Sequence, residues 1–295
     1  MCSLPIFRHI ADRIERAEFL DASASKLADV VRTVIRPGPV EDVLSGVPLG
    51  HPLHPALVAA PLGAWLGAGV LDVLGDAAGA RRLTALGAVG ALAAVTTGGA
   101  YWLSVEGAEK RVGFVHALSN YIAILAYGTS WWARSRGARK AGIACAVVGA
   151  SAVGVAGWLG GHLAYAQGVG VDTTAFSQFP HEWTDIGSVD ELPASGQAAV
   201  VEVAGIPVPM ARDDRGWVAY ADRCTHRGAP LHEGEISDSC IVCPWHGSAF
   251  SLEDGSVRSG PATRPQPKFQ TRVEQGRLQL HRIDVRTLRT NPTGT

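Results

Sequence analysis

The sequence predicts an α+β chain with its two classes segregated: an N-terminal all-α bundle of four transmembrane helices, followed by an all-β barrel or sandwich. Three observations predict it. Residues 51–165 hold four apolar runs, at 52–74, 83–105, 113–133 and 141–165, each close to the roughly 20 residues that carry a helix across a bilayer. From residue 183 onward, short alternating runs are punctuated by Ala204-Gly205, Asp213 to Gly216, Glu253-Asp254-Gly255 and Gln275-Gly276, which is the turn chemistry of β-hairpins. Between these parts the composition shifts from Ala, Gly, Leu and Val to polar and charged residues. The net charge of −1 argues against a broadly basic nucleic-acid binder. Five cysteines are too few for a disulfide framework.

Residues 1–50 contain no apolar run long enough for a signal or a span. Ile6, Phe7, Ile10, Ile14 and Ala17 recur at helical spacing, as do Leu27, Val30, Val31, Val34 and Ile35 until Pro37 and Pro39 interrupt them. Such amphipathic helices either lie in a membrane interface or pack on a protein surface.

In the four spans, small residues such as Gly63/Gly67 and Gly157/Gly161 let helices approach closely, as membrane bundles require. Short connections make successive helices antiparallel. The start of the first, the end of the second, the start of the third and the end of the fourth therefore share one face. His51, His54, His116 and His162 fall there. Ionisable groups at membrane depth are costly and mark function, and imidazoles on facing helices suit haem b or a metal ion. Contact with a quinone is a second reading, and helix capping beside an aromatic belt of Tyr101, Trp102 and Tyr165 is a third. The His51-Pro52-Leu53-His54-Pro55 start followed by four short spans resembles a bacterial four-helix membrane family of unknown function.

A linker is expected at 166–182, a β domain at 183–285 and a tail at 286–295. The β domain carries Cys224-Thr225-His226-Arg227-Gly228 and Cys243-Pro244-Trp245-His246-Gly247. Two thiolates and two imidazoles suit either a tetrahedral metal or an iron–sulfur cluster in which two histidines serve one iron. A glycine just behind each histidine lets the backbone curl and present N–H groups to sulfur. A zinc finger would instead continue into a helix.

These residues closely resemble the Rieske family, whose signature is Cys-x-His, a gap of this length, and Cys-x-x-His followed by Gly-Ser. The resemblance implies a [2Fe–2S] cluster, with Cys224 and Cys243 on the inner iron and His226 and His246 on the outer one. Family members in respiratory complexes add a cysteine to each ligand loop and a tyrosine that donates to sulfur. Here Ala229 and Trp245 stand at the cysteine positions and Phe250 at the tyrosine position, which resembles the ferredoxin and oxygenase branch. With Ser248 the one remaining hydroxyl, the expected potential lies in the lower part of the Rieske range of about −150 to +300 mV. No catalytic residue is expected, and the 49 residues after His246, with His281 their sole histidine, are not expected to add the mononuclear iron site of a complete oxygenase.

The expected function is a membrane-anchored carrier of single electrons between a membrane redox centre or quinone and a partner protein. The alternatives are an electron-transfer component of an oxygenase system and a redox sensor. Loops opposite the histidine face carry Arg81, Arg82, Arg134, Arg136, Arg139 and Lys140, which by charge alone puts the β domain outside. Cluster insertion before export and the lack of a twin-arginine signal point the other way. A multi-pass protein of the cell membrane with a cytoplasmic β domain is the expectation.

Overall fold

The structure, a computed structural model, describes residues 5–192, 198–203, 205–213 and 216–282. The expected turn residues Ala204, Asp214 and Arg215 and the tail from 286 to 295 lie outside them. The chain divides into two compact units between Gly170 and Val171.

The first unit is helical: α1 (Pro5–Glu15), α2 (Asp21–Val34), α3 (Pro39–Ser45), α4 (His54–Leu74), α5 (Ala77–Trp102), α6 (Gly107–Ser135) and α7 (Arg139–Tyr165). Pro39 does not only end a helix. It opens α3 from the first turn, where a missing N–H costs nothing and the fixed φ suits a helix. Helices α4 to α7 are each long and apolar enough to cross a membrane. Their outward residues, including Leu66, Val70, Leu86, Leu125 and Val148, are exposed and apolar. Asp76 caps α5 by accepting from the Gly79 N–H at 2.8 Å.

The N-terminal helices pack on the bundle. Arg111 of α6 grips Asp21 through Nε and Nη2 at 2.6 and 2.8 Å and donates to the Glu15 carbonyl. Ala24 is sealed with Trp102 and Val105. Trp102 is accordingly a core residue rather than part of an interfacial belt: its indole donates to the Lys110 carbonyl at 3.2 Å, over Gly113.

The four long helices form two like hairpins, α4–α5 and α6–α7. His54 Nδ1 meets the Ala94 carbonyl and His116 Nδ1 the Ala156 carbonyl, both at 2.8 Å and both 40 residues along the chain. Gly98 and Gly160 lie against those two imidazoles, and Gly87 and Gly149 lie against Trp65 and Tyr127. Equivalent residues are 62 apart, the separation of Asp72 from Arg134. They also meet each other. Trp65 stacks on Tyr127 with centroids 4.1 Å apart, and Arg134 holds Asp72 bidentately at 2.7 Å. Residues that touch their own equivalents lie on a two-fold axis, so the bundle is a duplicated hairpin about an axis running along it.

Among the described residues the second unit has ten strands: β1 (Thr184–Ser188), β2 (Ala198–Val203), β3 (Ile206–Asp213), β4 (Gly216–Tyr220), β5 (Glu235–Ser237), β6 (Cys240–Val242), β7 (Ala249–Ser251), β8 (Val257–Ser259), β9 (Lys268–Glu274) and β10 (Arg277–Arg282). They form an antiparallel six-stranded sheet, β1-β10-β9-β4-β3-β2, and a four-stranded sheet, β5-β6-β7-β8. Gln275-Gly276 turns β9 into β10, and Glu253 to Gly255 lies between β7 and β8, as the turn residues require. Val208, Met210, Ala219, Phe269, Leu278 and Leu280 fill the larger core. A smaller core of Leu231, Ile241, Phe250 and Ala262 encloses Cys224 and Cys243.

Candidate metal centre

Two loops of the second unit bring the predicted donors together. The first follows β4 and the second joins β6 to β7, and the same local geometry builds both. The Gly228 N–H donates to the Cys224 carbonyl at 2.8 Å, and the Gly247 N–H to the Cys243 carbonyl at 3.0 Å. The Cys224 N–H bonds the Ala229 carbonyl and the Cys243 N–H the Ser248 carbonyl, at 2.9 and 2.8 Å. Such closure needs a left-handed residue four positions after each cysteine, and Gly228 and Gly247 supply φ of 78° and 72°.

Each sulfur then sits in a nest of amides. The N–H groups of His226 and Arg227 point at Cys224, and those of Trp245 and His246 at Cys243. The two side chains also bond each other. Cys243 is the thiolate of the pair, lowered to about 6 by the Cys224 proton and the two amides. Cys224 is pushed far up by that shared proton and by burial. The imidazoles of His226 and His246 have centroids 5.0 Å apart and near-perpendicular planes. Burial, with His246 and Arg227 nearby, lowers His226 to about 3, so it is a neutral donor at physiological pH. His226 is buried, His246 half-buried and Trp245 exposed.

Among the described residues, no three His, Cys, Asp or Glu donors converge on one point as a mononuclear ion would ask. Two buried sulfurs and two imidazoles instead form two pairs of unlike donors, which is the set that a diiron unit takes.

Further residues hold this arrangement, several of them unmarked by any motif. Gln266 is buried; its Oε1 accepts from the Thr225 N–H at 3.1 Å, and its Nε2 donates to the carbonyls of Ala221 and Arg223. Thr225 Oγ1 donates to the Arg264 carbonyl. Asp222 accepts from the N–H and the ring Nδ1 of His232, pinning the first loop across its base. Thr173, in the segment expected as a linker, donates through Oγ1 to the Cys224 carbonyl at 2.7 Å and through its N–H to the Thr225 carbonyl. Ser248 Oγ accepts from the Ala262 N–H at 2.9 Å, which fixes the oxygen and leaves its O–H to donate. Phe250 lies fully buried beneath the loops and offers no donor.

Residues 182–270 match the family described as the Rieske [2Fe-2S] domain. Over 101 residues the chain is 31% identical to the anthranilate 1,2-dioxygenase ferredoxin subunit of Burkholderia cepacia, covering 34% of this chain and 92% of that one. The chain belongs to the Rieske [2Fe-2S] family. Ferredoxin CarAc of Metapseudomonas resinovorans is similar at 30% identity over 98 residues, 33% of this chain and 92% of that protein. Apoptosis-inducing factor 3 of Mus musculus is 31% identical over 86 residues, 29% of this chain, which spans only 14% of that protein's length. Residues 50–173 match a family described as predicted membrane protein DUF2231. The Rieske match implies a [2Fe–2S] cluster, and the donor set just described fits one.

The four histidines of the helical unit fare differently. His54 and His116 come together, with ring centroids 6.3 Å apart and planes at 80°. His162 Nε2 pairs with Glu15 at 2.7 Å, and His51 is exposed, its Nδ1 3.1 Å from the carbonyl of its own neighbour Pro52.

Proposed function

We propose that this Rieske protein is a membrane-anchored carrier of single electrons. Cys224 and Cys243 hold the inner iron of a [2Fe–2S] cluster and His226 and His246 the outer one. When bound, the cluster supplies a one-electron step at a potential set by its ligands and their hydrogen bonds. The protein's share is to bury the sulfurs, aim four backbone N–H groups at them, keep the His226 imidazole neutral and hold both rings in place. Half-buried His246 beside exposed Trp245 gives a partner protein its approach. The domain order is helices at 1–50, a membrane domain at 51–165, a connecting segment at 166–182 and the Rieske domain at 183–285, with the tail to 295. The outward apolar face of α4 to α7 supports anchoring in a membrane; in this reading that is the cell membrane, the Rieske domain lies on its cytoplasmic side and a membrane redox centre or quinone is the other electron partner.

The observation that carries this reading is the equivalence of the two loops, each closing a glycine turn around an amide-cradled sulfur and delivering one imidazole to a shared site. Iron, acid-labile sulfide and low-temperature EPR of the full-length protein test it. The C224S variant is expected to lose both metal and signal, because a buried hydroxyl does not replace a thiolate ligand. Unchanged iron content in that variant would contradict the assignment. The ferredoxin subunits that the chain resembles favour a second reading, in which the partner protein is an oxygenase. Reduction of such an oxygenase by the purified chain, or its absence, separates the two.

A further inference from the structure

The duplicated hairpins place three pairs of equivalent residues on the bundle's two-fold axis, and two of the pairs satisfy each other. Asp72 and Arg134 form a bidentate ion pair, and Trp65 and Tyr127 stack. The third pair, His54 and His116, does neither: the rings stand 6.3 Å apart between their centroids. In both, Nδ1 faces a main-chain carbonyl at 2.8 Å. A carbonyl only accepts, so Nδ1 carries the proton and Nε2 of the neutral ring keeps a lone pair. A bond of this kind from the far ring nitrogen is what fixes the tautomer of metal-ligating histidines. Gly98 and Gly160 make room for the rings, since a Cβ there would come within 2.9 and 3.2 Å of the imidazole Cε1 atoms.

We propose that His54 and His116 form a bis-imidazole metal site on this axis, for a metal that asks the protein for only two donors. It deepens the membrane half of the electron-carrier reading, on which it rests for its role but not for its chemistry. With metal–nitrogen bonds of about 2 Å and about 1.1 Å from nitrogen to ring centre, imidazoles on opposite sides of one metal have centroids roughly 6 Å apart. The observed spacing meets this. Among the described residues no third His, Cys, Asp or Glu joins them, which disfavours four-coordinate zinc and octahedral ions. A cuprous ion, content with two nitrogens, or the iron of a tetrapyrrole, which brings its own equatorial ligands, remains. Asn120 donates to His116 Nε2 at 3.1 Å and also to the His116 carbonyl at 3.0 Å. Binding a metal costs the first bond while the second holds the amide in place.

The test uses full-length protein in mild detergent, incubated separately with cuprous ion and with ferric protoporphyrin and then desalted, with retained metal and the Soret band as readouts. One equivalent of one probe is expected to stay, and the two arms tell copper from porphyrin. H54N and H116N, in which an amide N–H takes over the bond to the carbonyl but no second ring nitrogen remains, are expected to weaken retention by more than about tenfold and by similar amounts. H51N and H162N should retain the probe. Wild type that holds neither probe, or retention undiminished in both H54N and H116N, would overturn the site. Helical circular dichroism and the Rieske EPR signal, expected unchanged in all four variants, show that the chain is folded. If the axis site fails while that signal persists, the electron-carrier reading stands without it.

Discussion

Two pairs of perpendicular imidazoles, one in each unit, are built by opposite means. His226 and His246 ride on loops, 5.0 Å apart, each with a cysteine two or three residues before it and a glycine just behind. His54 and His116 ride on helices, 6.3 Å apart, each locked by a carbonyl of its own hairpin. A loop can wrap around several atoms and turn its own amides inward, so the first pair comes with two sulfurs and four N–H donors. A helix spends its amides on itself and offers only a side chain. The second pair therefore comes with nothing but nitrogen. The difference teaches that donor count follows from the backbone that carries the donors: loops suit a cluster, and facing helices suit a group that needs two ligands.

Removing a ligand from one pair should leave the other untouched. Loss of the EPR signal in C224S, with metal retention at His54 and His116 preserved, is the largest effect expected, and a joint loss would show that the two sites are not independent. A smaller effect is expected from R134A. It leaves the Asp72 carboxylate without its bidentate partner on the bundle axis, and should cost about 3–5 kcal/mol in detergent unfolding while sparing the Rieske signal. A cost below about 1 kcal/mol would mean that this rung does not hold the hairpins together. Smallest is a pH effect at His226 of the loop pair. With iron removed, His226 takes its proton only near 3, against an ordinary value of 6.5 that the unfolded chain recovers. Its contribution is complete above 6.5 and falls as the pH drops towards 3, because acid then favours the unfolded state. Relative to H226N, iron-stripped wild type should lose about 2 kcal/mol between pH 7.5 and pH 5. No change in that difference between the two values would show that His226 is not held in its buried, neutral form.

The ligand loops were legible because their chemistry is local. Cysteine, histidine and glycine fall within five residues of one another, so spacing alone reveals the turn and the donor set. The spans were legible because hydropathy is a property of composition. The hairpin duplication was not, since two of the equivalent contacts pair unlike residues, Trp65 with Tyr127 and Asp72 with Arg134. The letters that do repeat, His54/His116, Gly87/Gly149 and Gly98/Gly160, stand singly in runs already crowded with glycine. Gln266 and Thr173 escaped for a related reason: their partners in the first loop lie some 40 to 50 residues away, and a glutamine between two prolines or a threonine after an aspartate carries no signal of its own. The four histidines predicted on one face were read from helix direction, which sets height along the bundle but not rotation about each helix. Rotation decides that His54 and His116 meet while His162 turns to Glu15.

An EPR-monitored redox titration of the intact protein tests the central claim most directly. A Rieske signal appearing on one-electron reduction, with a midpoint below about +200 mV as Phe250 and the lone Ser248 hydroxyl dictate, is the result predicted. A midpoint above that value would contradict the branch assigned here, and iron-free protein carrying one zinc would contradict the cluster itself.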